Sequence, residues 1–156
     1  MPVIEHKQFI KAPIGVCFDL ARDVGVHTQT TLKTKERAVG GVTKGLLEEG
    51  DSVTWEAVHF GIKQRLTAKV IFMEKPYSFV DVMVKGAFKS FIHIHQFTEE
   101  EEGTTMIDHF QYKSRFGLIG VLIDKWFLER YMKSFIATRA AELKEIAEIK
   151  TNQTFD

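Results

Sequence analysis

The stretch LIGVLIDKWFLERYMKSFIATRAAELKEIAEI, residues 118–149, decides the fold of this chain. Its first part is apolar around most of a helix's circumference, and its later part narrows to one apolar stripe with steps of three and four residues. Those steps are the period of an α-helix. At 1.5 Å per residue, the helix would be roughly 45 Å long and would need a broad surface to pack on. The stripe consists of Leu128, Met132, Phe135, Ile136, Arg139, Leu143 and Ile146.

The residues before this helix predict the surface that it needs. Short segments rich in β-branched and aromatic residues alternate with turns that contain glycine, proline or acidic residues, as in antiparallel strands. Two short helices are predicted after the first strand, over residues 14–22 and 24–31, with Pro13 in the first turn of one and Asp23 capping the other. The predicted strands are residues 3–10, 35–39, 52–60, 62–73, 79–84, 88–97 and 104–114. The pair Gly40-Gly41, just after the second of them, predicts a turn or a bulge.

This order of elements predicts an α+β protein, with a curved antiparallel β-sheet wrapped around a long C-terminal α-helix. The two short helices lie between strands 1 and 2. Residues 1–156 are expected to form one domain, because no linker, repeat or low-complexity segment interrupts the pattern.

Composition excludes several classes of protein. Lys plus Arg and Asp plus Glu both number 21, so no net charge favours nucleic acid or an anionic membrane. No apolar run reaches the roughly 20 residues that span a bilayer, and the single cysteine, Cys17, cannot form an intrachain disulfide. Nucleotide-binding glycine motifs are absent from the sequence. We therefore expect a cytoplasmic monomer or homodimer without a cofactor or stable membrane insertion.

Several short motifs occur in a fixed order along nearly the whole chain, and together they resemble one superfamily. The chain resembles the START/Bet v 1-like (SRPBCC) superfamily, and most of all its small bacterial polyketide cyclase/dehydrase-like members. The motifs are Ala12-Pro13, VTWEAVHFG at 53–61, FVD at 79–81, GAF at 86–88, FxHxHxF at 91–97, DxFxY at 108–112 and GLIG at 117–120.

The resemblance implies a helix-grip fold, in which a cavity between the sheet and the C-terminal helix takes a hydrophobic small molecule. It does not imply one reaction, because members include lipid carriers, hormone sensors and aromatic-ring cyclases.

Alternation sorts each predicted strand into two faces, but on residues 88–97 both faces are partly apolar. The resemblance places inward the face that carries His93 and His95, and on the next strand the face that carries Asp108. A turn at residues 99–102 would then set Asp108 opposite or diagonal to one of these histidines. The predicted cavity lining is Trp55, His59, Gln64, Leu66, Phe79, Asp81, Phe91, His93, His95, Asp108, Phe110, Tyr112 and Trp126.

The histidine–carboxylate cluster admits three interpretations. His93 and His95 are core residues bonded to Asp108, or they contact a ligand, or they transfer protons while Tyr112 donates a hydrogen bond to a substrate oxygen. Their spacing matches no compact zinc motif, so we expect no metal. Arg139 lies on the buried stripe and predicts a buried ion pair or the capped end of a pocket rather than a site for anion recognition.

These observations favour a protein that binds, transports or senses a hydrophobic small molecule such as a lipid, an isoprenoid or a polyketide-like compound. Two alternatives remain open. The first is a polyketide cyclase/dehydratase-like enzyme that uses Asp108 with His93 or His95. The second is a protein-interaction module that uses the outward pair Ile92 and Ile94.

Overall fold

The computed structural model describes residues 2–115 and 124–154 of the chain. The predicted order of elements is confirmed, with seven strands, two short helices after the first strand and one long C-terminal helix. The elements are β1 (Val3–Ile10), α1 (Ile14–Ala21), α2 (Val24–Gln29), a 3₁₀ turn (Leu32–Thr34), β2 (Arg37–Gly41), β3 (Ser52–His59), β4 (Ile62–Glu74), β5 (Ser78–Lys85), β6 (Ser90–Glu100), β7 (Gly103–Lys113), a π-helical turn (Asp124–Leu128) and α3 (Glu129–Thr154).

The strands form one antiparallel sheet in the order β1-β7-β6-β5-β4-β3-β2. Register shifts interrupt the pairing of β2 with β3 and of β4 with β5, and such bulges bend a sheet. The predicted bulge at Gly40-Gly41 lies at the first shift. Gly41 has φ +67°, and a Cβ atom there would lie 2.2 Å from the carbonyl oxygen of Ser52, so only glycine fits.

Helix α3 packs on the concave side through the predicted stripe. Met132, Ile136 and Leu143 are buried, and Ala140 and Ala147 extend the buried face toward the C-terminal end. The helix continues to Thr154, beyond the predicted end at residue 149. Residues 118–123, which the sequence assigns to the start of this helix, lie outside the described residues.

Two other local predictions need correction. The second strand covers Arg37–Gly41 instead of residues 35–39, because Lys35 takes a left-handed conformation that ends the preceding 3₁₀ turn. Strands β6 and β7 extend to Glu100 and from Gly103, so the acidic turn is shorter than predicted. Within residues 2–115 and 124–154, no helix has the length and hydropathy to cross a membrane.

Helix α1 inserts between the sheet and the C-terminal half of α3. Phe18 packs edge-on against Phe79 and Phe97, with both ring centroids 5.5 Å away, and Ala140 and Ala147 of α3 close the cluster. Nothing equivalent to α1 lies between the sheet and the N-terminal half of α3 among the described residues. The candidate site lies at that end.

Candidate functional site

A cavity of about 630 Å³ separates strands β3 to β7 from the N-terminal half of α3. Aromatic and aliphatic side chains form most of its wall because the inward faces of the strands meet the apolar stripe of the helix. The apolar wall includes Phe88, Phe91, Phe110, Met132, Phe135 and Ile136. A smaller cavity of about 50 Å³ adjoins it and shares Trp55, Ala68, Asp81, His27 and Arg139 as wall residues.

Strand alternation brings most of the predicted lining residues to this cavity. On β6, for example, Phe91 and His93 face the interior, whereas Ile92 is 42% exposed on the outer face. Ile94 is half-buried on that same outer face. The predicted residues that line the main cavity are Trp55, His59, Gln64, Leu66, Asp81, Phe91, His93 and Phe110.

The structure does not bring five predicted residues to the main cavity. Phe79 and His95 line the smaller cavity instead. Asp108 is buried within the sheet–helix interior and lines neither of the two cavities. Tyr112 is 0% exposed because its ring packs against Phe88, which lines the cavity in its place. Trp126 is 73% exposed at the start of the helix, so the expectation that it forms core or cavity wall is wrong.

Four titratable side chains on β5, β6 and β7 form a hydrogen-bonded chain. His95 pairs with Asp108 across the ladder, as predicted, and its Nδ1 lies 3.2 Å from Asp108 Oδ1. Its Nε2 lies 2.8 Å from Asp81 Oδ1. The same Asp108 oxygen is 2.9 Å from His93 Nε2. The order is therefore Asp81, His95, Asp108, His93, and we name it the His–Asp chain.

Protonation within the His–Asp chain follows from its geometry. Burial by itself would lower the pKa of His95, but hydrogen bonds to Asp108 and Asp81 outweigh it and raise the pKa. For Asp108, burial opposes ionisation, yet the hydrogen bonds from the two histidines hold its pKa far below the usual range. Burial, followed by the charge of His95, lowers the pKa of His93. Of the two histidines, His95 is therefore the one that binds a proton at the higher pH, and His93 is neutral near pH 7.

His93 is the member of the pair that faces the main cavity. Because its Nε2–H donates to Asp108, the neutral ring has its lone pair on Nδ1. Within the described part of the chain, Nδ1 has no hydrogen-bond partner, and the residue lines the main cavity. A neutral imidazole that is oriented in this way can accept a proton or a hydrogen bond from a bound molecule.

A second polar pair lies on the cavity wall. His59 Nδ1 is 2.6 Å from the Tyr131 hydroxyl, where β3 meets α3. Burial lowers the pKa of His59, and burial together with the charge of Glu36 raises the pKa of Tyr131. The sequence analysis missed Tyr131, although it precedes Phe135 of the stripe by one helical turn, and that spacing could have revealed it.

Residues from the segment between α2 and β2 form another part of the wall that the sequence analysis missed. His27 stacks on Trp55 with 3.9 Å between ring centroids, and its Nε2 lies 3.2 Å from Glu36 Oε1. Burial, followed by the charge of Arg139, lowers the pKa of His27. No sequence period marks His27 or Glu36, because their approach to the cavity depends on how the short helices fold back onto the sheet.

Arg139 occupies the polar end of the site. It lines both cavities, as expected for the capped end of a pocket. The alternative expectation, an ion pair, is not met: among residues 2–115 and 124–154, no carboxylate lies within 4.0 Å of its guanidinium. Its buried Nε also has no hydrogen-bond partner there.

The residues that could hold a metal ion are Asp81, His93 and His95, whose candidate ligand atoms lie within 4.8 Å of one another. Both nitrogens of His95 and Nε2 of His93 already bond to carboxylates. A metal ion would have to displace the bond between His95 and Asp81. The geometry therefore favours the His–Asp chain over a metal centre.

Comparisons with known proteins identify the fold. No family profile matches the chain, and no curated protein matches its sequence. Solved structures do match. The protein TTHA0849 from Thermus thermophilus is 20% identical, with a TM-score of 0.76 over 92% of this chain and 95% of that one. The major latex-like protein 151 from Panax ginseng is 13% identical, with a TM-score of 0.69 over 94% and 97%.

This chain has the helix-grip fold of the START/Bet v 1-like superfamily. The di-domain ARO/CYC protein StfQ of the steffimycin biosynthetic pathway adds to the comparison, with 11% identity and a TM-score of 0.76. It matches 96% of this chain, which spans 52% of StfQ. The resemblance inferred from the sequence motifs is thus confirmed at the level of the helix-grip fold.

Proposed function

We propose that the chain binds a hydrophobic small molecule, such as a lipid, an isoprenoid or a polyketide-like compound, in the main cavity. The observation that carries this proposal is the cavity of about 630 Å³ with apolar walls and a few polar groups at defined positions. Ligand sites usually combine a volume of roughly 300 to 1,000 Å³ with that kind of lining. The fold shared with StfQ, an ARO/CYC protein of a biosynthetic pathway, supports a polyketide-like ligand.

Apolar contact would supply most of the affinity. At about 25 cal/mol per Å², burial of roughly 300 Å² of ligand surface contributes about 7 kcal/mol before the costs of association. The polar groups of the wall would then fix the orientation of the ligand. A cytoplasmic location and a monomeric or homodimeric state belong to the same proposal, and the single buried cysteine, Cys17, is compatible with a reducing compartment.

A pair of neighbouring substitutions tests the proposal. Ala57 is buried and lines the cavity, whereas Val58 follows it on β3 and faces the other side of the sheet. Ala57→Phe should fill the cavity and weaken binding at least about tenfold, while Val58→Phe should leave binding nearly unchanged.

The readout is native mass spectrometry after mild purification, followed by titration with the hydrophobic molecule that is found. Repeatedly empty spectra for the wild-type chain against a lipid and polyketide library would overturn the proposal. Equal binding by Ala57→Phe and the wild type would place the ligand elsewhere.

A second candidate function is proton transfer, as in a cyclase or dehydratase. The observation that favours it is the free Nδ1 of His93 in the cavity, with Asp108 bonded to the opposite nitrogen. His93 would accept a proton from the substrate, Asp108 would hold the ring in position, and His95 would balance the charge of Asp108. Tyr112 has no part in this version, because it is fully buried.

The enzyme hypothesis predicts different losses at the two residues. His93→Gln should abolish turnover of a polyketide-type substrate, because it removes the base. Asp108→Asn should retain part of the activity with a displaced pH–rate profile, because the ring remains but its orientation and basicity change. Absence of turnover by the wild type across such substrates would reject this candidate and leave the binding function unaffected.

A further inference from the structure

Arg139 is a partly buried cation, and no acceptor in the described part of the chain fills its hydrogen-bond donors. Its guanidinium carries five N–H donors in a rigid fork and remains charged at any ordinary pH. Within the described part of the chain, its buried Nε has no acceptor, and no carboxylate approaches the guanidinium within 4.0 Å. Buried donors without acceptors destabilise a protein, so this position on the wall of both cavities favours an acceptor brought by a ligand.

The charge of Arg139, by contrast, is already balanced from a distance. Burial opposes the ionisation of Glu36 and Asp81, but the electrostatic interaction with His27 for Glu36 and the hydrogen bond with His95 for Asp81 hold their pKa values low, and the field of Arg139 lowers both further. Each of these carboxylates is bonded elsewhere, Glu36 to His27 and Thr34, and Asp81 to His95. They supply negative charge near the guanidinium without occupying its N–H groups.

The ionisable groups around the cavity that are buried or partly buried carry an excess of negative charge before any ligand enters. Glu36, Asp81 and Asp108 are ionised, and at most two cations, His95 and Arg139, oppose them, so that at least one negative charge is uncompensated. Two further arginines line the main cavity, Arg65 and Arg115, but both are exposed to solvent, and Arg65 pairs with Glu56. A ligand carboxylate would add another negative charge in a medium of low dielectric constant, where repulsion is strong. An uncharged carbonyl oxygen would fill the donors of Arg139 without that repulsion.

We propose that Arg139 binds an uncharged carbonyl oxygen of the ligand, so that the site selects hydrophobic ketones, esters or amides over carboxylates of the same skeleton. This inference rests on the proposed ligand-binding function and names the chemical class that the site accepts. The apolar skeleton lies in the main cavity, and the carbonyl points to the end where the two cavities meet.

Three probes with the same ring system separate the contribution of a hydrogen-bond acceptor to affinity from the contribution of its charge. They are 2-ethylanthracene, 2-acetylanthracene and anthracene-2-carboxylate, which differ in having no acceptor, a neutral acceptor and an anionic acceptor. Binding is followed at pH 7.5 by the fluorescence of the probe. For the wild type, 2-acetylanthracene should bind about tenfold more tightly than either of the other two, the effect of one hydrogen bond to a charged donor.

Arg139→Met removes the donors and keeps a long apolar side chain. In this variant the preference for the ketone should vanish, while the affinity for 2-ethylanthracene should change by less than about twofold. Arg130→Met is the matched control, because Arg130 is exposed on the same helix and lines neither of the two cavities. It should behave as the wild type does.

Tighter binding of the carboxylate than of the ketone would overturn the inference, as would an undiminished ketone preference in Arg139→Met. If 2-ethylanthracene binds but the ketone has no advantage, only the selectivity fails. If none of the three probes binds the wild type, the proposed ligand-binding function fails with it. Should Arg139→Met not fold, Arg139→Lys replaces it: the point charge lacks the fork, so the ketone preference should fall at least about threefold, and an unchanged preference overturns the inference.

Discussion

The interior beneath α1 and the interior beneath the start of α3 lie under the same sheet, yet one is filled and the other is hollow. Beneath α1, Phe18 wedges between Phe79 and Phe97, and small residues of α3 let the helices approach. At the other end, Tyr131 and Phe135 of α3 face the sheet across the cavity, and no helix formed by residues 2–115 lies between them and the sheet. The interior is therefore packed where α1 lies between the sheet and α3. Where none of the described helices lies between them, a cavity with room for a ligand remains.

The His–Asp chain lies at the border of these two regions. On the filled side, the His95 ring stacks on Phe79 with 4.1 Å between centroids. On the hollow side, His93 lines the cavity. A buried polar chain thus separates the packed region from the cavity, so substitutions in the chain should disturb both regions, whereas substitutions inside either region should disturb one.

The largest expected effect on the free energy of unfolding is in the packed region beneath α1. Phe18→Ala should lower the free energy of unfolding by about 4 kcal/mol, because it removes a ring that is 1% exposed and leaves a void among close-packed side chains. Phe88→Ala is the control, since Phe88 is half-buried beside existing free space, and should cost only about 1 to 2 kcal/mol. Urea unfolding followed by circular dichroism measures both, and equal costs would contradict the comparison.

The next largest effect is expected at the border. Asp108→Asn should cost about 3 kcal/mol, because it removes the charge that pairs His95 and holds His93 in a buried environment. Asp81→Asn should cost less, since the Asp81 side chain is 20% exposed and, among residues 2–115 and 124–154, bonds to His95 alone. The same urea titrations measure this pair, and a larger loss for Asp81→Asn would show that the chain is centred on the other carboxylate.

The pH dependence of stability should also reflect the histidines at and near this border, because some have lowered pKa values and one has a raised pKa. His27 and His93 have lowered pKa values in the folded protein. As the pH falls, the unfolded chain therefore binds protons at a higher pH than the folded chain does, and stability should fall as pH drops below about 6.5. His95 has a raised pKa, so its contribution is complete below about pH 6.5 and is lost as pH rises through its pKa in the folded protein. Stability should therefore pass through a maximum near pH 6.5.

Each histidine can contribute a slope of at most about 1.4 kcal/mol per pH unit within its own window. Urea unfolding between pH 5 and 8.5 measures the curve. His27→Gln should flatten the acidic side and leave the alkaline side unchanged, because His27 is not part of the His–Asp chain. An unchanged acidic slope in this variant would show that His27 is not buried in its neutral form.

The smallest expected effect is on the hollow side. Tyr131→Phe removes the hydroxyl that lies 2.6 Å from His59 and should cost about 1 kcal/mol or less, because the Tyr131 side chain is only partly buried. Thermal unfolding measures the loss. Phe135→Leu provides a size-changing control on the same helix face, and a loss above about 2 kcal/mol for Tyr131→Phe would mean that the pair is part of the packed core.

Much of the architecture was predictable from local pattern. The first strand, the Asp23 cap of α2, the bulge at Gly40-Gly41 and the buried stripe of α3 all follow from spacing within a few residues, and the structure confirms them. The proximity of Asp108 to one of the two histidines was predictable as well, because a short hairpin restricts the register of its strands, and the structure shows that Asp108 pairs with His95. The start of the long helix was not, since Trp126 and Phe127 look like core residues and are exposed.

The sequence by itself determined the α+β order and the sheet wrapped around the long helix, because periods of two and of 3.6 residues are local properties of a chain. The inward placement of the histidine–carboxylate cluster came from the resemblance to the superfamily, because alternation left both faces of the strand open. Only the tertiary structure decided that His93 faces the hollow while Asp108 and Tyr112 do not, and that Glu36 and His27 reach the same wall. Those outcomes depend on which part of the space between the sheet and α3 is filled by α1. That is a matter of packing between distant segments, which no local period records.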